Sequence, residues 1–438
     1  MNLKTPEKIR KLQRTFYAKA KEEPQYRFYL LYDKVYRQDI LEFAYLLCKA
    51  NGGAPGIDGQ SFADIEAYGR ERWLREVAQE LKGRSYRPAA VRRVWIEKDN
   101  GGKRPLGIPT VKDRVVQRAA VLVVGPIFEA DLEPEQYGYR PRRSARQAVE
   151  KVHEWLSQGH REVIDADLSG YFDTIAHREL IQCVARRISD KHMLRLIKMW
   201  LKAPVGQESG KGGGKAEGRG GKGTPQGSPI SPLLANLYFR RLLLGWKGLG
   251  FQGRFQAQVV NYADDFVICC RTNAQQALEA VEAILQKLHL KLNREKTRIR
   301  RVPEESFDFL GYTLCRCYAA GTGRPYIGTR PSSKRIRRMC REISEATSPR
   351  QTPLPAEEVV RRLNRMLVGW SNYFCLGPVS KAYRAVDSHT RYRLRRWLRR
   401  KHQVQGAASR RFADEYLYEK LGLVRLEQRT RDLPWAKA

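Results

Sequence analysis

Apolar positions in this chain follow two periods, and the places where one gives way to the other outline its elements. The segment DILEFAYLLCKA carries Ile40, Leu41, Phe43, Ala44, Leu46 and Leu47 at helical spacing, a stripe wide enough to face a core. The first fifty residues read as helices up to NGGAPGIDG (51–59), where four glycines and a proline interrupt the pattern. RERWLREVAQELKGR then predicts an amphipathic helix that ends at Gly83. In NAQQALEAVEAILQKL (273–288), Leu278, Val281, Ile284, Leu285 and Leu288 form a buried face. Asn273 is placed to cap that helix, and Gln276 to close a capping box.

Period two takes over elsewhere. In VRRVWIEKDNGGKRPLGIPT, the run Val91 to Ile96, the turn DNGG and the return KRPLGIP predict a hairpin. REVIDADL (161–168) reads as a short strand, with the helix TIAHRELIQCVARRI behind it. QVV and FVICC flank YADD as two half-strands, and FDFLGYTL (307–314) reads as one further strand. The order strand, helix, hairpin, helix, strand is not a doubly wound series, and it predicts an α+β fold with an antiparallel sheet covered by helices on one face.

Charge adds the partner class. The 438-residue chain has 82 Lys and Arg against 47 Asp and Glu, a formal net charge of +35. Phosphate backbones select such a field, because their counterions are released on binding. A solvated basic surface is the plain alternative. No apolar run reaches spanning length and no signal peptide opens the chain, so no membrane partner is expected. The eight cysteines form neither a disulfide framework nor a metal-ligand pattern and suit a reducing compartment. From 205 to 223 the composition falls to Gly, Lys and Arg, which predicts a mobile loop. Residues 330–411 hold 21 Lys or Arg and five Asp or Glu, a local net of +16. Two predicted helices there alternate an apolar stripe (Val360, Leu363, Leu367; Leu394, Trp397, Leu398) with arginine, which suits an RNA or DNA surface. The candidates on it are Arg361, Arg362, Arg365, Arg393, Arg396 and Arg400.

The chemistry sits at the tip of the second hairpin. Two-residue turns favour Asn-Gly or Gly-X, yet this one places Asp264 and Asp265 together between apolar half-strands. Adjacent carboxylates raise each other's pKa, and a hard divalent cation offsets that cost. A solvated Asp-Asp loop is the ordinary reading of YADD alone. IDADL supplies a second acidic site: Asp165 and Asp167 lie on one face of its strand, near the strand end. A three-carboxylate cluster suits two magnesium ions and phosphoryl or nucleotidyl transfer. Asp173, further on, is expected to support the loop before its helix.

The ordered set GAPGIDG, RPLGIPTVKDRVVQRA, PIFEADLEPEQYGYRPRRSARQAV, DADLSGYFDTIAH, GTPQGSPISPLLANLYF, YADDFVI, LKLNREKTRI, FDFLGYTL, LNRMLVGWSNYF and YRLRRWLRRKH resembles the reverse transcriptase–maturases encoded by bacterial group II introns, over nearly the whole chain. The resemblance implies a right-hand polymerase: an N-terminal extension and start of the fingers in 1–60, fingers in 61–160, an antiparallel-sheet palm in 161–315, and a basic α-helical thumb and maturase region in 325–438. It implies Asp167, Asp264 and Asp265 as metal ligands, with the Leu168 carbonyl beside them, and two Mg²⁺ ions for which Mn²⁺ could substitute. Lys98 and Arg104 would clamp the triphosphate of an incoming dNTP. Tyr171, with Phe172 as the second choice, would exclude a 2′-hydroxyl. Gln226 would touch the base pair, and Lys296 would lie near the nucleotide or primer end. Expected partners are group II intron RNA or another structured template, a DNA primer or target, and dNTPs, with a homodimer left open. Expected location is the bacterial cytoplasm, with the nucleoid or an RNA–protein particle. The match ends soon after YLYEKLGLVRL without the Cys and His set of a homing endonuclease, which implies priming from existing DNA ends. Two alternatives stand beside retrohoming: a domesticated enzyme of DNA repair, antiphage defence or spacer acquisition, and an RNA-binding splicing cofactor without polymerase activity.

Overall fold

The computed structural model describes residues 3–97, 102–206, 220–319, 321–405 and 408–430. The chain begins with helix α1 (Glu7–Glu22), which has Glu7 in its first turn and Lys19 and Lys21 in its last, as the helix dipole favours. Helix α2 (Gln38–Asn51) buries Ile40, Leu41, Phe43, Ala44, Tyr45 and Cys48, and α3 (Arg70–Lys82) buries Trp73, Leu74, Val77 and Leu81. Strands β1 (Val91–Glu97) and β2 (Lys103–Ile108) pair antiparallel, with Arg93 opposite Gly107 and Glu97 opposite Lys103. Their connection, 98–101, lies outside the described residues, and so does the turn predicted there. Helix α4 (Val111–Glu129) follows, with Thr110 accepting from the Asp113 backbone at its start. It is buried nearly all round, which fits a helix packed between α1, α2 and the rest of the core.

The central sheet supplies the platform. Helix α5 (Ala145–Ser157) opens with a capping box between Ser144 and Gln147 and leads to strand β3 (Glu162–Asp167). Helix α6 (Ser231–Gly248) precedes β4 (Ala257–Tyr262) and β5 (Asp265–Cys270); α7 (Ala274–Lys287) precedes β6 (Arg298–Arg301). The four strands lie in the order β4–β5–β3–β6, every pair antiparallel. Strand alternation divides the side chains between two cores. Ile164, Ala166, Val259, Phe266 and Ile268 join the large core with α4 and α6, whereas Val163, Val260, Val267 and Cys269 pack on Val149, Phe307, Tyr312 and Phe374. Both faces are therefore covered, and the sheet's polar chemistry is confined to its ends.

Two expectations need correction. FDFLGYTL is a hairpin rather than one strand: β7 (Phe307–Phe309) turns at Leu310-Gly311 into β8 (Tyr312–Tyr318), both turn residues having positive φ, 51° and 85°. Strand β9 (Pro325–Pro331) pairs with β8, so the hairpin straddles the stretch expected to separate palm from thumb. Asn273 does not cap α7. It adopts a left-handed conformation with no side-chain cap, and Glu162 of β3 accepts from the Ala274 N–H at 3.1 Å instead. At the two ends of the predicted Gly/Lys loop the described residues are paired. Val205–Gly206 pairs in parallel with Val91–Arg92, and Lys222 bridges Ala176, while 207–219 lie outside the described residues.

Helices α8 (Ser333–Ala346), α9 (Ala356–Tyr373) and α10 (Ser380–Lys401) complete the chain with their own core of Ile343, Leu363, Leu367, Tyr383, Leu394 and Trp397. Phe374 and Leu376 carry that region onto the central sheet's second core.

Candidate active site

The register of the central sheet sets the acids. Asp167, the last residue of β3, is paired with Asp265, the first of β5, and Tyr262 closes β4 on the other side of Asp265. Asp264 occupies the two-residue turn after Ala263. That turn is strained: Ala263 has φ of 61°, where a hairpin favours glycine. It is held by Asn261, fully buried, whose Nδ2 donates to the Ala263 carbonyl at 2.8 Å and to the Asp265 carbonyl at 3.3 Å. A side chain at Gly138 would strike the Ala263 nitrogen at 2.4 Å, so glycine there admits the turn.

Electrostatics follow from this crowding. Burial first, then the charges of Asp264, Asp167 and Asp165, pushes the Asp265 carboxyl up to about 6. Burial and then Asp167 push Asp165 up to about 6 as well. Asp265 nevertheless keeps surface open to solvent, so the crowding is on its protein side. The cation that meets the acids is Lys296, whose Nζ lies 3.1 Å from Asp167 Oδ2. Among the described residues no three acidic, histidine or cysteine side chains close on one point as a ligand cage. Leu168 bridges Leu292, but the hydrogen bonds run through its neighbours, Ser169 N to Lys291 O at 2.9 Å and Asn293 N to Asp167 O at 2.7 Å. The Leu168 carbonyl stays out of that pairing.

The two aromatics expected near the sugar are both buried but have different surroundings. Tyr171 is turned into the core, its hydroxyl donated to the Ala235 carbonyl at 2.6 Å. Phe172 lines a cavity of about 1490 Å³ together with Gln226, Gly227 and Leu106. In the short helix Tyr171–Thr174 successive residues diverge by about 100°, so only one of the two faces the opening. Gln226 also joins two elements: its Nε2 donates to Asp173 Oδ2 at 3.2 Å, and its carbonyl accepts from Gly107 N of β2 at 2.8 Å. Lys98 lies outside the described residues, and of Arg104 only the backbone position, opposite Ile96, is described.

Sequence reading missed the far side of this cavity, which Arg10 and Arg14 of α1 and Arg114 and Arg118 of α4 line. Arg114 is spent on the backbone carbonyls of Gly52 and Ala54, whereas the Arg118 Nε is buried without a partner among the described residues. The helical spacing Arg10–Arg14 and Arg114–Arg118 was a legible signal for two basic edges.

The basic helices divide into two groups. Arg361, Arg362 and Arg365 of α9 and Arg396 and Arg400 of α10 are exposed. Arg393 is not: its guanidinium donates to the Ser344 carbonyl at 2.9 Å and the Thr347 hydroxyl at 3.3 Å, closing the carboxyl end of α8. Of the six arginines expected to meet RNA, Arg393 is thus the half-buried one, tied to its own fold.

Residues 96–314 match the family of reverse transcriptases (RNA-dependent DNA polymerase), and residues 336–417 match the group II intron, maturase-specific domain. Protein YkfC of Escherichia coli (strain K12) is 34% identical over 366 residues, 74% of this chain and 93% of YkfC. The group II intron-encoded protein LtrA of Lactococcus lactis subsp. cremoris is 36% identical over 221 residues, 49% of this chain but only 35% of LtrA. A chain of the solved partial Cas6-RT-Cas1–Cas2 complex is 24% identical, with a TM-score of 0.34, over 59% of this chain and 41% of that one.

Proposed function

The chain belongs to the family of group II intron-encoded reverse transcriptases with a maturase-specific domain, an RNA-directed DNA polymerase family, and from that premise we propose which residues do the work and on what. The observation that carries the reading is the register of Asp167 opposite Asp265, with Asp264 in the adjoining turn. Reverse transcriptase domains use divalent metal ions. The donor set fits hard cations: carboxylate oxygens at one sheet end, with a carboxyl pushed up to about 6 that added positive charge would relieve. Two Mg²⁺ ions held by Asp167, Asp264, Asp265 and the Leu168 carbonyl would neutralise charge on the attacking and leaving oxygens.

The protein's own contribution is positioning. The β3–β5 pairing fixes two acids relative to one another, and the Asn261-braced turn presents the third. Phe172, which lines the cavity, would pack under the sugar and leave no room for a 2′-hydroxyl. Gln226 faces the same cavity and would meet the nascent base pair. Lys98 and Arg104, from the two arms of the β1–β2 hairpin, would clamp the triphosphate. Lys296, already at Asp167, brings a cation to the primer end.

The template is RNA, and the exposed arginines of α9 and α10 would bind structured intron RNA through its phosphates, assisting splicing before the same RNA is copied into DNA for retrohoming. No helix among the described residues is long and apolar enough to cross a membrane. The test is extension of a DNA primer on an RNA template with Mg²⁺ by the full chain and by Asp264→Ala. Extension by the first alone supports the assignment, and equal extension by both overturns it.

A further inference from the structure

Strands β8 and β9 form a ribbon that no step above uses. Residues 315–335 fall between the two matched segments, 96–314 and 336–417, so most of the ribbon belongs to neither. Its two faces differ. On one, Leu314 and Ile327 join the second core of the central sheet, and His153 Nε2 of α5 donates to the Ile327 carbonyl at 2.8 Å. On the other, the register sets Cys317 opposite Tyr326, Cys315 opposite Gly328 and Thr313 opposite Arg330, three successive rows of one face.

Tyr326 is the large side chain of that second face, with 42% of its surface open. Its ring leans along β9 over Gly328, where an added side chain would meet Tyr326 Cε2 at 3.1 Å and Cys317 Sγ at 2.7 Å. Glycine at 328 thus lets the ring rest on the strand. The Cys315 and Cys317 sulfurs beside it lie 3.9 Å apart. Burial, then Cys315, pushes the Cys317 thiol up to about 11, and the charges of Arg330 and Lys381 oppose that shift, so both cations border the same spot. Both are exposed, and Lys381 enters from the first turn of α10, inside the maturase-specific domain. Asp308 shares the row of Thr313 and Arg330, two rows from Tyr326, and accepts from the Thr313 hydroxyl. None of Tyr326, Arg330 and Lys381 lines the cavity beside Phe172.

A ring backed by a strand, open outward and rimmed by cations, matches an unpaired nucleotide: the base stacks on the ring and its phosphates meet the cations. A base inside a duplex is already stacked on both faces and has none to offer. Resting on the reading that structured RNA is this chain's partner, we propose that Tyr326, flanked by Arg330 and Lys381, is a stacking site for an unpaired nucleotide of that RNA, separate from the cleft that holds template and primer.

The experiment first saturates the full chain with a blunt template–primer duplex, so that the cleft is occupied. Binding of a short unstructured RNA, of a blunt RNA duplex of equal length and of the corresponding single-stranded DNA is then followed by fluorescence anisotropy across a salt series. Primer extension and thermal unfolding are measured in parallel. Tyr326→Ala lowers affinity for the single-stranded RNA about fivefold to a hundredfold, whereas Tyr326→Phe, which keeps the ring, stays within about twofold of the wild type. Arg330→Gln and Lys381→Gln each weaken binding and flatten the slope of log affinity against log salt by about 0.7. Duplex affinity and primer extension are unchanged in all four variants. Equal affinity of the wild type and Tyr326→Ala for the single-stranded RNA overturns the inference. So does an equal loss on single strand and duplex, or a matching fall in primer extension, either of which assigns the ribbon to the template–primer duplex. Unchanged salt slopes in both Arg330→Gln and Lys381→Gln overturn it whatever the folding of the Tyr326 variants, and tighter Tyr326-dependent binding of the DNA overturns the choice of RNA. Failure of the wild type to bind any RNA overturns the reading on which the inference rests, and the inference with it.

Discussion

The central sheet and the C-terminal helices use charge in opposite ways. At the end of β3 and β5 like charges are crowded: Asp165, Asp167, Asp264 and Asp265 share one corner, and two of them are pushed up to about 6. In the helical region the charges are spread out. Arg361, Arg362, Arg365, Arg396 and Arg400 stand exposed, while Asp414 serves Arg391, Arg395 and Arg425 at 3.1, 2.7 and 3.9 Å. Crowded charge is costly in the folded chain and is relieved by a counter-charge brought from outside. Dispersed charge costs little and adds a small increment per phosphate met. The first arrangement suits a site that must gather metal and substrate, and the second suits a surface that must hold a long polyanion.

Separation of the two regions can be tested, beginning where the effect should be largest. Asp264→Ala is expected to lower RNA-templated extension by about three orders of magnitude or more, as loss of a charge-stabilising group does, while affinity for the same RNA stays unchanged in a filter-binding assay. Replacing Arg361, Arg362 and Arg365 together by Ala should do the reverse. RNA affinity falls on the order of tenfold to a hundredfold, the slope of log affinity against log salt flattens by about two, and extension on a short preannealed template is nearly preserved. Asn261→Ala removes the brace of the Ala263 turn. It is expected to lower unfolding free energy by about 1–3 kcal/mol and to reduce extension, with denaturant melts and primer assays as readouts. Arg393→Ala sharpens the line within the basic helices: about 1 kcal/mol of stability is lost with RNA affinity nearly intact, because this guanidinium is tied to the end of α8. Equal losses of RNA affinity from Arg393→Ala and Arg396→Ala would erase that distinction.

Much of this was legible in the chain where periodicity and chemistry agreed. The alternation in REVIDADL and in the half-strands around YADD gave β3, β4 and β5, and the two-residue spacing of Asp165 and Asp167 gave their shared face. What was not legible depended on contacts distant in sequence. Tyr171 and Phe172 are neighbours of similar bulk, and only Ala235, on α6, shows which is turned inward. Lys296 meets an acid 129 positions away, and Gln226 meets Asp173 across 53. The Asn273 cap was locally plausible, but Glu162 of β3 supplies the acceptor at the start of α7. FDFLGYTL read as continuous because Leu310 is apolar, although its positive φ makes it a turn residue.

The most direct measurement of the central claim takes one preparation of the full chain and one of Asp167→Asn and follows two quantities on the same RNA: primer extension across a Mg²⁺ titration, and equilibrium RNA binding. The account predicts Mg²⁺-dependent DNA synthesis by the wild type, its loss in the variant at every Mg²⁺ concentration, and superimposable binding curves. Synthesis by Asp167→Asn at the wild-type rate would contradict it.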